Sequence, residues 1–445
     1  MKLPKVVFFA RGYQADYFPT LASNRYEAVF VTLTRAEKRI VERRGHKVVA
    51  CFECDFDRLP EEELPEAYLR TSFMADRFLG RFDAPMRRHI LAKERAFWSR
   101  ILDEHRPAAV VNELVAIEIS EVLLIEAEAR GIRYLAGMNC VVNDLFYWLP
   151  DPLSLSGRFI PDSRPGDESR RAAEAYLEEV RQQDYKPFYV QNLSDRRALR
   201  PIAAAAAKFA YWRLKRLFGR RFSYETYSEE YAKKLSVFFK SFFVGYDRLE
   251  DIPDGIEAIF YPLHQEPEAT LNYMSEFYSD QVSTIENILK CLTPDQVLVV
   301  KEHPVDKGSL LRRKFRLIRK NCSALYYLPA EVHGRQVLDR ASRVVTLTST
   351  VGWEAAVTGH PVYVMGQIFY DNVPGITRIA NFADLKAALR LPLSDQSRAS
   401  LESVGDLVAR MVEASYRGNP FPHAGLYSED NRKAVVHAIA SAAGA

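Results

Sequence analysis

Apolar and polar positions alternate along the first half of the chain in a way that predicts short strands separated by helices. Apolar runs of strand length lie at residues 6–10, 28–32, 48–52, 109–112 and 134–137. Between them, apolar residues recur at helical spacing over residues 61–104, with interruptions, and over residues 117–130. Strands bounded by helices at this spacing are typical of βαβ units, so we predict a parallel sheet.

A second run of the same kind follows a helical, charged and aromatic middle. Its predicted strands lie at residues 258–261, 297–301, 324–328, 344–347 and 362–365, and its helices at 279–292, 331–340, 351–358 and 382–390. We predict an α/β fold in four parts. These are an N-terminal domain at 1–150, a helical basic insertion or bridge at 151–245, a C-terminal domain at 246–400, and helices at 401–445 that pack back on the N-terminal domain.

Length and composition fit a globular protein of two domains. The chain has 445 residues, of which 48% are hydrophobic and 27% charged, and its net charge of +3 does not indicate a nucleic-acid partner. Its five cysteines are scattered, and Cys51 and Cys54 form a CxxC without a second pair, so we expect free thiols. No cleavable leader and no stretch of about 20 apolar residues is found, so we expect a cytoplasmic protein.

One segment departs from this charge balance. Residues 196–221 carry nine Lys and Arg and no acid, interleaved with aromatic residues and leucines. Such a helix suits an anionic membrane surface, where each cation contributes about 1 kcal/mol. It is equally typical of a solvated helix between domains. Both interpretations stay open, and the first predicts peripheral contact with the inner face of the cytoplasmic membrane.

Three predicted strands of the second half end in unusual polar segments, at the edge where open α/β sheets bind ligands. The segments are Pro262-Leu263-His264-Gln265-Glu266-Pro267-Glu268, Lys301-Glu302-His303-Pro304 and Thr348-Ser349-Thr350-Val351-Gly352-Trp353-Glu354. The same residues also fit a polar surface loop, a structural histidine and an ordinary helix N-cap. Their joint position at three strand ends favours a binding site.

The residue types of these segments suit a phosphate and a sugar. Lys301 and His303 can both donate to phosphate oxygens as charge develops on a leaving group. The hydroxyl-rich start of the helix near 350 offers free N–H groups and a favourable dipole to an anion. Glu354 can accept from ribose hydroxyls. Glu266 or Glu268 can act as general base, as nucleophile or as an acceptor for sugar hydroxyls.

The order of the three segments resembles the bacterial capsule polysaccharide biosynthesis family. That family has Pro-Leu-(Gln/His), Lys-x-His-Pro and (Ser/Thr)-x-x-Gly-x-Glu-Ala segments in the same order, and the resemblance covers about residues 259–375 well. It implies a GT-B-like fold, with two Rossmann-like domains facing each other across a cleft. It also implies a retaining glycosyltransferase that moves a Kdo- or sialic-acid-like ulosonic acid from its CMP ester to a glycan or glycolipid of capsule or lipopolysaccharide.

The resemblance also implies roles for single residues. Those for the nucleotide and its phosphate are Lys301, His303, Thr348, Ser349, Thr350, Gly352 and Glu354. Glu268, or Glu266 if the alignment slips, would be the nucleophile, with His264 as a further catalytic candidate. Glu113 would deprotonate the acceptor, and Arg11 and Gln265 would contact acceptor or donor. No DxD-type metal site stands out, so we expect metal independence, no cofactor, and the CMP-sugar as co-substrate.

Three other functions remain open on the sequence. A GT-B enzyme could use a UDP- or GDP-hexose, with a requirement for divalent metal. A non-catalytic polysaccharide-binding or assembly protein would tolerate the loss of Glu266 and Glu268. A CDP-glycerol-type phosphotransferase has phosphate-binding histidines on a similar fold, but the segment at 262–268 fits it poorly.

Overall fold

The computed structural model describes residues 3–444, apart from 77, 163, 183–184, 186–198, 219–222, 225–226, 241, 243, 267, 305 and 309. The chain forms two compact units. Unit 1 consists of Met1–Leu153, Arg216–Thr226 and Ala414–Ala445, and unit 2 of Ser154–Lys215 and Tyr227–Glu413. Each unit contains one sheet with helices packed against it.

Most of the strands are separated along the chain by helices. They are β1 (Lys5–Ala10), β2 (Glu27–Thr32), β3 (Val48–Cys51), β4 (Ala109–Asn112), β5 (Arg133–Asn139), β6 (Leu145–Trp148), β7 (Glu257–Pro262), β8 (Gln296–Lys301), β9 (Leu325–Leu328), β10 (Arg343–Thr346), β11 (Val362–Val364), β12 (Thr377–Arg378) and β13 (Tyr416–Arg417). The ten strands expected from the sequence are all present, with ends within two residues of the predicted ones.

The helices vary from one turn to more than five. They are α1 (Gln14–Tyr17), α2 (Arg35–Arg43), α3 (Phe52–Asp55), α4 (Ala84–His105), α5 (Glu118–Glu128), α6 (Asp167–Val180), α7 (Leu199–Phe218), α8 (Tyr227–Lys240), α9 (Ala269–Met274), α10 (Gln281–Leu289), α11 (Arg313–Asn321), α12 (Gly334–Arg340), α13 (Thr350–Val357), α14 (Phe382–Arg390), α15 (Leu401–Glu413) and α16 (Glu429–Ala442).

The sheet of unit 1 has the order β13-β6-β5-β4-β1-β2-β3. The strands from β5 to β3 are parallel, whereas β6 and β13 run antiparallel to their neighbours. Alternate residues of β1 enter two cores: Val7 and Phe9 pack with α4 and α5, and Phe8 packs on the other face with Ile439 of α16. Because both faces are covered, the strand is an unbroken apolar run.

The sheet of unit 2 has the order β12-β11-β10-β7-β8-β9 and is parallel throughout. Read from β7, this is the 3-2-1-4-5-6 order of a doubly wound fold. Its strands β7, β8 and β10 supply one core, in which Ile259, Leu298 and Val345 are fully buried. The two Rossmann-like α/β domains predicted from the sequence are therefore confirmed.

The first change of unit, after Leu153, lies close to the expected boundary at 150, whereas the other changes do not coincide with 245 and 400. Unit 1 takes back a short piece of the middle of the chain, at Arg216–Thr226, and helix α15 at the start of the tail lies in unit 2. The side chain of Glu413, at the end of α15, accepts from the backbone N–H of Gly166 at 3.1 Å and from the hydroxyl of Ser169 at 2.7 Å. These bonds fasten α15 to α6 of the same unit.

Candidate nucleotide-binding site

The three polar segments predicted from the sequence meet at one edge of the sheet in unit 2. The chain order reverses at β7, because β8 and β9 lie on one side of it and β10, β11 and β12 on the other. Ligands of open α/β sheets bind outside the carboxyl ends of the strands at this reversal. The segments follow the three neighbouring central strands β10, β7 and β8, so the sheet brings them together there.

His264 joins two of these segments. Its imidazole Nε2 accepts a hydrogen bond from the backbone N–H of Thr348 at 3.2 Å. Gln281 of α10 fixes its backbone, since its Oε1 accepts from the His264 N–H at 2.7 Å and its Nε2 donates to the His264 carbonyl at 3.0 Å. One imidazole therefore links the loop after β7 to the loop after β10.

The electrostatic setting of His264 favours a neutral ring. The side chain is buried, and this burial together with the nearby His303 lowers its pKa to about 3. With Nε2 accepting, the proton lies on Nδ1, which has no hydrogen-bond partner among the residues that the structure describes. Such a ring positions the Thr348 loop at neutral pH, and its catalytic role stays a prediction.

The segment after β8 presents Lys301 at the same edge. Its ammonium donates to the carbonyl of Ala330 at 3.2 Å. Burial lowers the pKa of Lys301, and the carboxylates of Glu331, Glu354 and Glu302 oppose that change. His303 follows two residues later, close enough to His264 to affect its pKa. The predicted phosphate donors therefore lie beside the loop of β7.

Glu302 was not anticipated as part of this arrangement. It is 2% exposed and accepts hydrogen bonds from the hydroxyls of Tyr327, at 2.6 Å, and Tyr246, and from the backbone N–H of Gly308. Burial raises its pKa, and these donors oppose the rise. Glu302 thus fixes the turn that carries Lys301 and His303. Successive side chains of an extended segment point to opposite sides, so Glu302 would lie on the side opposite to Lys301 and His303. This alternation was the sequence signal that could have identified Glu302.

Ser349 directly precedes helix α13 and lies three residues after β10. Its hydroxyl accepts from the backbone N–H of Val351 at 3.2 Å, so it is the N-cap. Its own N–H donates to the hydroxyl of Thr346 at 3.1 Å, and its carbonyl accepts from the hydroxyl of Tyr370. Thr350 is the first residue of the helix. The loop at the helix N-terminus is thereby fixed on three sides.

Two glycines permit the close packing of this loop. A Cβ on Gly352 would lie 2.3 Å from the Tyr370 hydroxyl and 2.8 Å from the Thr346 methyl carbon. A Cβ on Gly366 would lie 2.7 Å from the carbonyl oxygen of Leu347 and 2.8 Å from the methyl carbon of Thr348. The structure therefore gives Gly352 a packing role, next to the nucleotide contact predicted for it.

Glu354 lies one turn into α13 and is buried. Burial raises its pKa to about 7, and the cations of Lys301 and Arg335 oppose the rise. At neutral pH this carboxyl is therefore divided between its neutral and ionised forms. Lys301 at the end of β8 and Glu354 in α13 are close enough to interact electrostatically. A common phosphate and ribose site is predicted from the sequence at these two segments.

The two acids of the β7 loop have different surroundings. Glu266 forms an ion pair with Arg312, and its backbone N–H donates to the Asp306 carboxylate at 2.9 Å. Glu268 occupies the position before α9 with an extended backbone, and its carbonyl accepts from Asn272 at 3.0 Å. Gln265 is half-buried between them and His264. Pro267 of this segment lies outside the described residues.

Unit 1 brings together the two residues predicted for its own sheet edge. Arg11 follows β1 and Glu113 follows the adjacent strand β4, and their side chains form an ion pair. The hydroxyl of Tyr134 donates to the carbonyl of Glu113 at 3.1 Å, and Glu37 accepts from the backbone N–H of Gly12 at 2.9 Å. The acid proposed as base for the acceptor is thus held by a guanidinium.

Within the described residues, no group of three or more His, Cys, Asp or Glu side chains is arranged to hold a metal ion. No helix in that part of the chain is long and apolar enough to cross a bilayer.

Residues 217–407 match the family model described as capsule polysaccharide biosynthesis protein. Over this segment the chain is similar to the capsule polysaccharide biosynthesis family. The match confirms the resemblance drawn from the sequence, and it contains the whole site after β7, β8 and β10. The Arg11–Glu113 pair of unit 1 lies outside the matched residues.

A curated relative is the capsule polysaccharide export protein KpsS of Escherichia coli. It is 36% identical to this chain over 89 residues, which cover 19% of the chain and 22% of the relative. The chain therefore matches about a fifth of the relative's length.

Solved structures with distant similarity include two transferases of KpsC from Thermosulfurimonas dismutans. The β-Kdo 2,4 transferase has a TM-score of 0.42 at 13% identity and covers 71% of this chain and 82% of its own. The β-Kdo 2,7 transferase has a TM-score of 0.35 at 12% identity, covering 92% and 97%. A UDP-GlcNAc 2-epimerase from Methanocaldococcus jannaschii has a TM-score of 0.28 at 12% identity, covering 92% and 98%. These TM-scores are low, and the fold assignment rests on the chain's own two sheets.

Proposed function

We propose that this chain is a glycosyltransferase of the capsule polysaccharide biosynthesis family, and that it uses a CMP-activated ulosonic acid of the Kdo or sialic-acid type. One observation carries the proposal: Lys301 and His303 after β8, and the N-terminus of α13 after β10, flank the strand β7 where the chain order reverses. Two cationic or hydrogen-bond-donating side chains and the positive end of a helix dipole suit a single departing phosphate.

The ribose and the sugar would use the remaining residues of this edge. Glu354 would accept from ribose hydroxyls, for which its ionised form is the better acceptor. Glu268 would attack the anomeric carbon, CMP would leave with the bonding electron pair, and the acceptor hydroxyl would then displace the carboxylate. Glu266, which pairs with Arg312, stays the alternative nucleophile. The acceptor proton would pass to a base, for which Glu113 stays the prediction.

The first test is a thermal-shift and calorimetric comparison of CMP, CDP, UDP, GDP and ADP, each with magnesium or with EDTA. A nucleotide present at about 100 times its dissociation constant stabilises the folded protein by about 2.7 kcal/mol. We expect CMP to bind without metal and Lys301→Met and His303→Ala to lose this binding. Lys290→Met is a matched control, because Lys290 is exposed and pairs with Glu286 at 3.1 Å in the same unit.

The second test separates catalysis from binding. With a CMP-ulosonic donor and a glycan acceptor, Glu268→Gln should abolish transfer while CMP still binds, and the product's anomeric configuration should equal the donor's. Abolished transfer in Glu266→Gln alone would reassign the nucleophile. Preference for UDP or GDP with a metal requirement would instead support a hexose transferase.

A non-catalytic role in capsule assembly is the second candidate. It is favoured by one observation, that the relative matched over 89 residues is called an export protein. Failure of all nucleotides to bind, together with normal capsule production in cells carrying Glu266→Gln and Glu268→Gln, would support it and contradict the transferase proposal.

A further inference from the structure

Helix α7 has an inner face that packs on the protein. Of its side chains, the structure describes residues 202–215. Ala205 is buried there, and Ile202, Phe209 and Trp212 are half-buried at spacings of three and four residues. The ammonium of Lys208 lies 5.4 Å from the ring centre of Tyr231, which joins α7 to α8. The orientation of α7 is thus fixed by one apolar stripe.

The opposite face of α7 is also apolar, although it is exposed. Its exposed members are Ala203, Ala204, Ala206, Ala207, Ala210, Tyr211 and Leu214. Tyr211 is 57% exposed and Leu214 56%. At 100° per residue these positions span about 160° of the helix circumference. A helix on the surface of a soluble domain normally turns polar side chains to solvent, so this face is unusual.

Cations lie on both borders of this exposed face. On the helix circumference, Lys208 and Lys215 fall beside Tyr211, and Arg213 falls beside Ala206 on the other border. All three are exposed, and no acid occurs from residue 196 to residue 221. The outer surface of α7 therefore combines an apolar centre with a cationic rim.

We propose that α7 lies in the headgroup layer of a bilayer that contains anionic phospholipids, with Tyr211 and Leu214 at the boundary of the acyl chains. An interfacial helix binds through buried apolar area and attraction to anionic lipid together, and this face offers both. Long Lys and Arg side chains reach from the border of such a helix to the headgroups. A soluble polyanion would leave the apolar centre exposed, and a second copy would bring the cationic rims together.

The test uses the full-length chain and sedimentation with vesicles of phosphatidylcholine, with and without phosphatidylglycerol. We expect binding to the anionic vesicles only, weakening as salt is raised. The variant Lys208→Gln/Arg213→Gln/Lys215→Gln should reduce the partition coefficient on the order of 100-fold, since each cation contributes about fivefold. Tyr211→Ser/Leu214→Ser should also weaken binding but retain its salt dependence.

A matched control removes the same number of exposed cations from another helix of unit 2. Arg313→Gln/Arg316→Gln/Lys320→Gln on α11 has the same net charge as the α7 variant and should bind vesicles like the unaltered protein. Thermal unfolding checks that each variant is folded. Tyr211→Trp adds a direct measure, because its fluorescence should shift to the blue when anionic vesicles are added.

Five results would overturn the proposal. They are equal binding to neutral vesicles, equal loss in the α11 variant, and absence of a blue shift in Tyr211→Trp. The fourth is self-association without lipid that Tyr211→Ser/Leu214→Ser abolishes, which would make a second copy the occupant. Binding to heparin with the same dependence on the three cations, but without vesicle binding, would assign the surface to soluble polyanions instead.

Discussion

The raised pKa of Glu354 makes a quantitative prediction for Glu354→Gln. The carboxyl is 8% exposed, and burial raises its pKa from 4.5 to about 7 despite the nearby Lys301 and Arg335. In the folded protein the ionised form is therefore disfavoured relative to the unfolded chain. The stability associated with this carboxyl is complete below pH 4.5 and is lost as the pH rises through about 7.

The size of the effect follows from the difference between the two pKa values. Each unit of difference between the pKa values corresponds to about 1.36 kcal/mol, so the free energy of unfolding of the native protein has fallen by about 3 kcal/mol at pH 8. Glutamine has nearly the same shape and does not ionise. Glu354→Gln should therefore raise the free energy of unfolding by about 3 kcal/mol at pH 8, and by less than about 1 kcal/mol at pH 5.

Urea unfolding of native and variant protein at pH 5 and pH 8 measures this difference. Glu402→Gln is the control, because Glu402 is an exposed residue of the same unit and should change neither value. If Glu354→Gln changed stability equally at both pH values, the carboxyl would not titrate between them and the reasoning would be refuted. A stabilised variant with weaker CMP affinity would indicate that the buried acid is retained for binding.

Three further substitutions test the packing of the site and of the sheet beneath it. His264→Ala removes the acceptor of the Thr348 N–H and should lower the free energy of unfolding by about 1–3 kcal/mol at pH 8. This loss of stability should shrink at pH 5, because the low pKa of His264 makes the native protein lose stability as the pH falls below 6.5. The control is His437→Ala, which should cost far less at pH 8 because His437 is exposed. Gly352→Ala should lower the free energy of unfolding by about 1–3 kcal/mol, because the added Cβ meets the Tyr370 hydroxyl, and adding Tyr370→Phe should restore part of the loss. Gly245→Ala is the control, because a Cβ on Gly245 meets no atom within 4 Å. Arg343→Met should lower the free energy of unfolding by about 3–5 kcal/mol, since Arg343 pairs with Glu257 at 2.9 Å and donates to the carbonyls of Leu389 and Leu391. The control Arg340→Met should lower it far less, because the partner of Arg340, Asp254, is 91% exposed. Equal losses in the two variants would refute the role of burial.

The parallel strands could be predicted because both of their faces are buried, which leaves unbroken apolar runs such as that of β1. The strands that were missed have weaker signals. β12 and β13 are two residues long and lie at the sheet edges, and β6 pairs antiparallel with β5 only after the chain has turned back. Their existence depends on pairing that no local pattern expresses.

The site could be predicted as far as strand ends determine it. Lys301 is the last residue of β8 and Ser349 lies three residues after β10, and the fold sets the neighbours of both strands. The residues that hold them in place were missed, because their partners are distant in sequence. Gln281 reaches His264 from another helix, and Tyr327 reaches Glu302 from the next strand. Such contacts depend on tertiary packing, which residue type and local spacing do not specify.

The discontinuous make-up of unit 1 bears on how the protein is synthesised. Its sheet contains β1 from the first residues of the chain and β13 from the last part, and Val435 and Ile439 of α16 are buried in its core. At about 5–20 residues per second, ribosomal elongation separates the emergence of these elements by about 20 s or more. Unit 2 can complete its sheet within that interval. The nascent unit 1 must meanwhile carry an apolar face that α16 covers only at the end of synthesis.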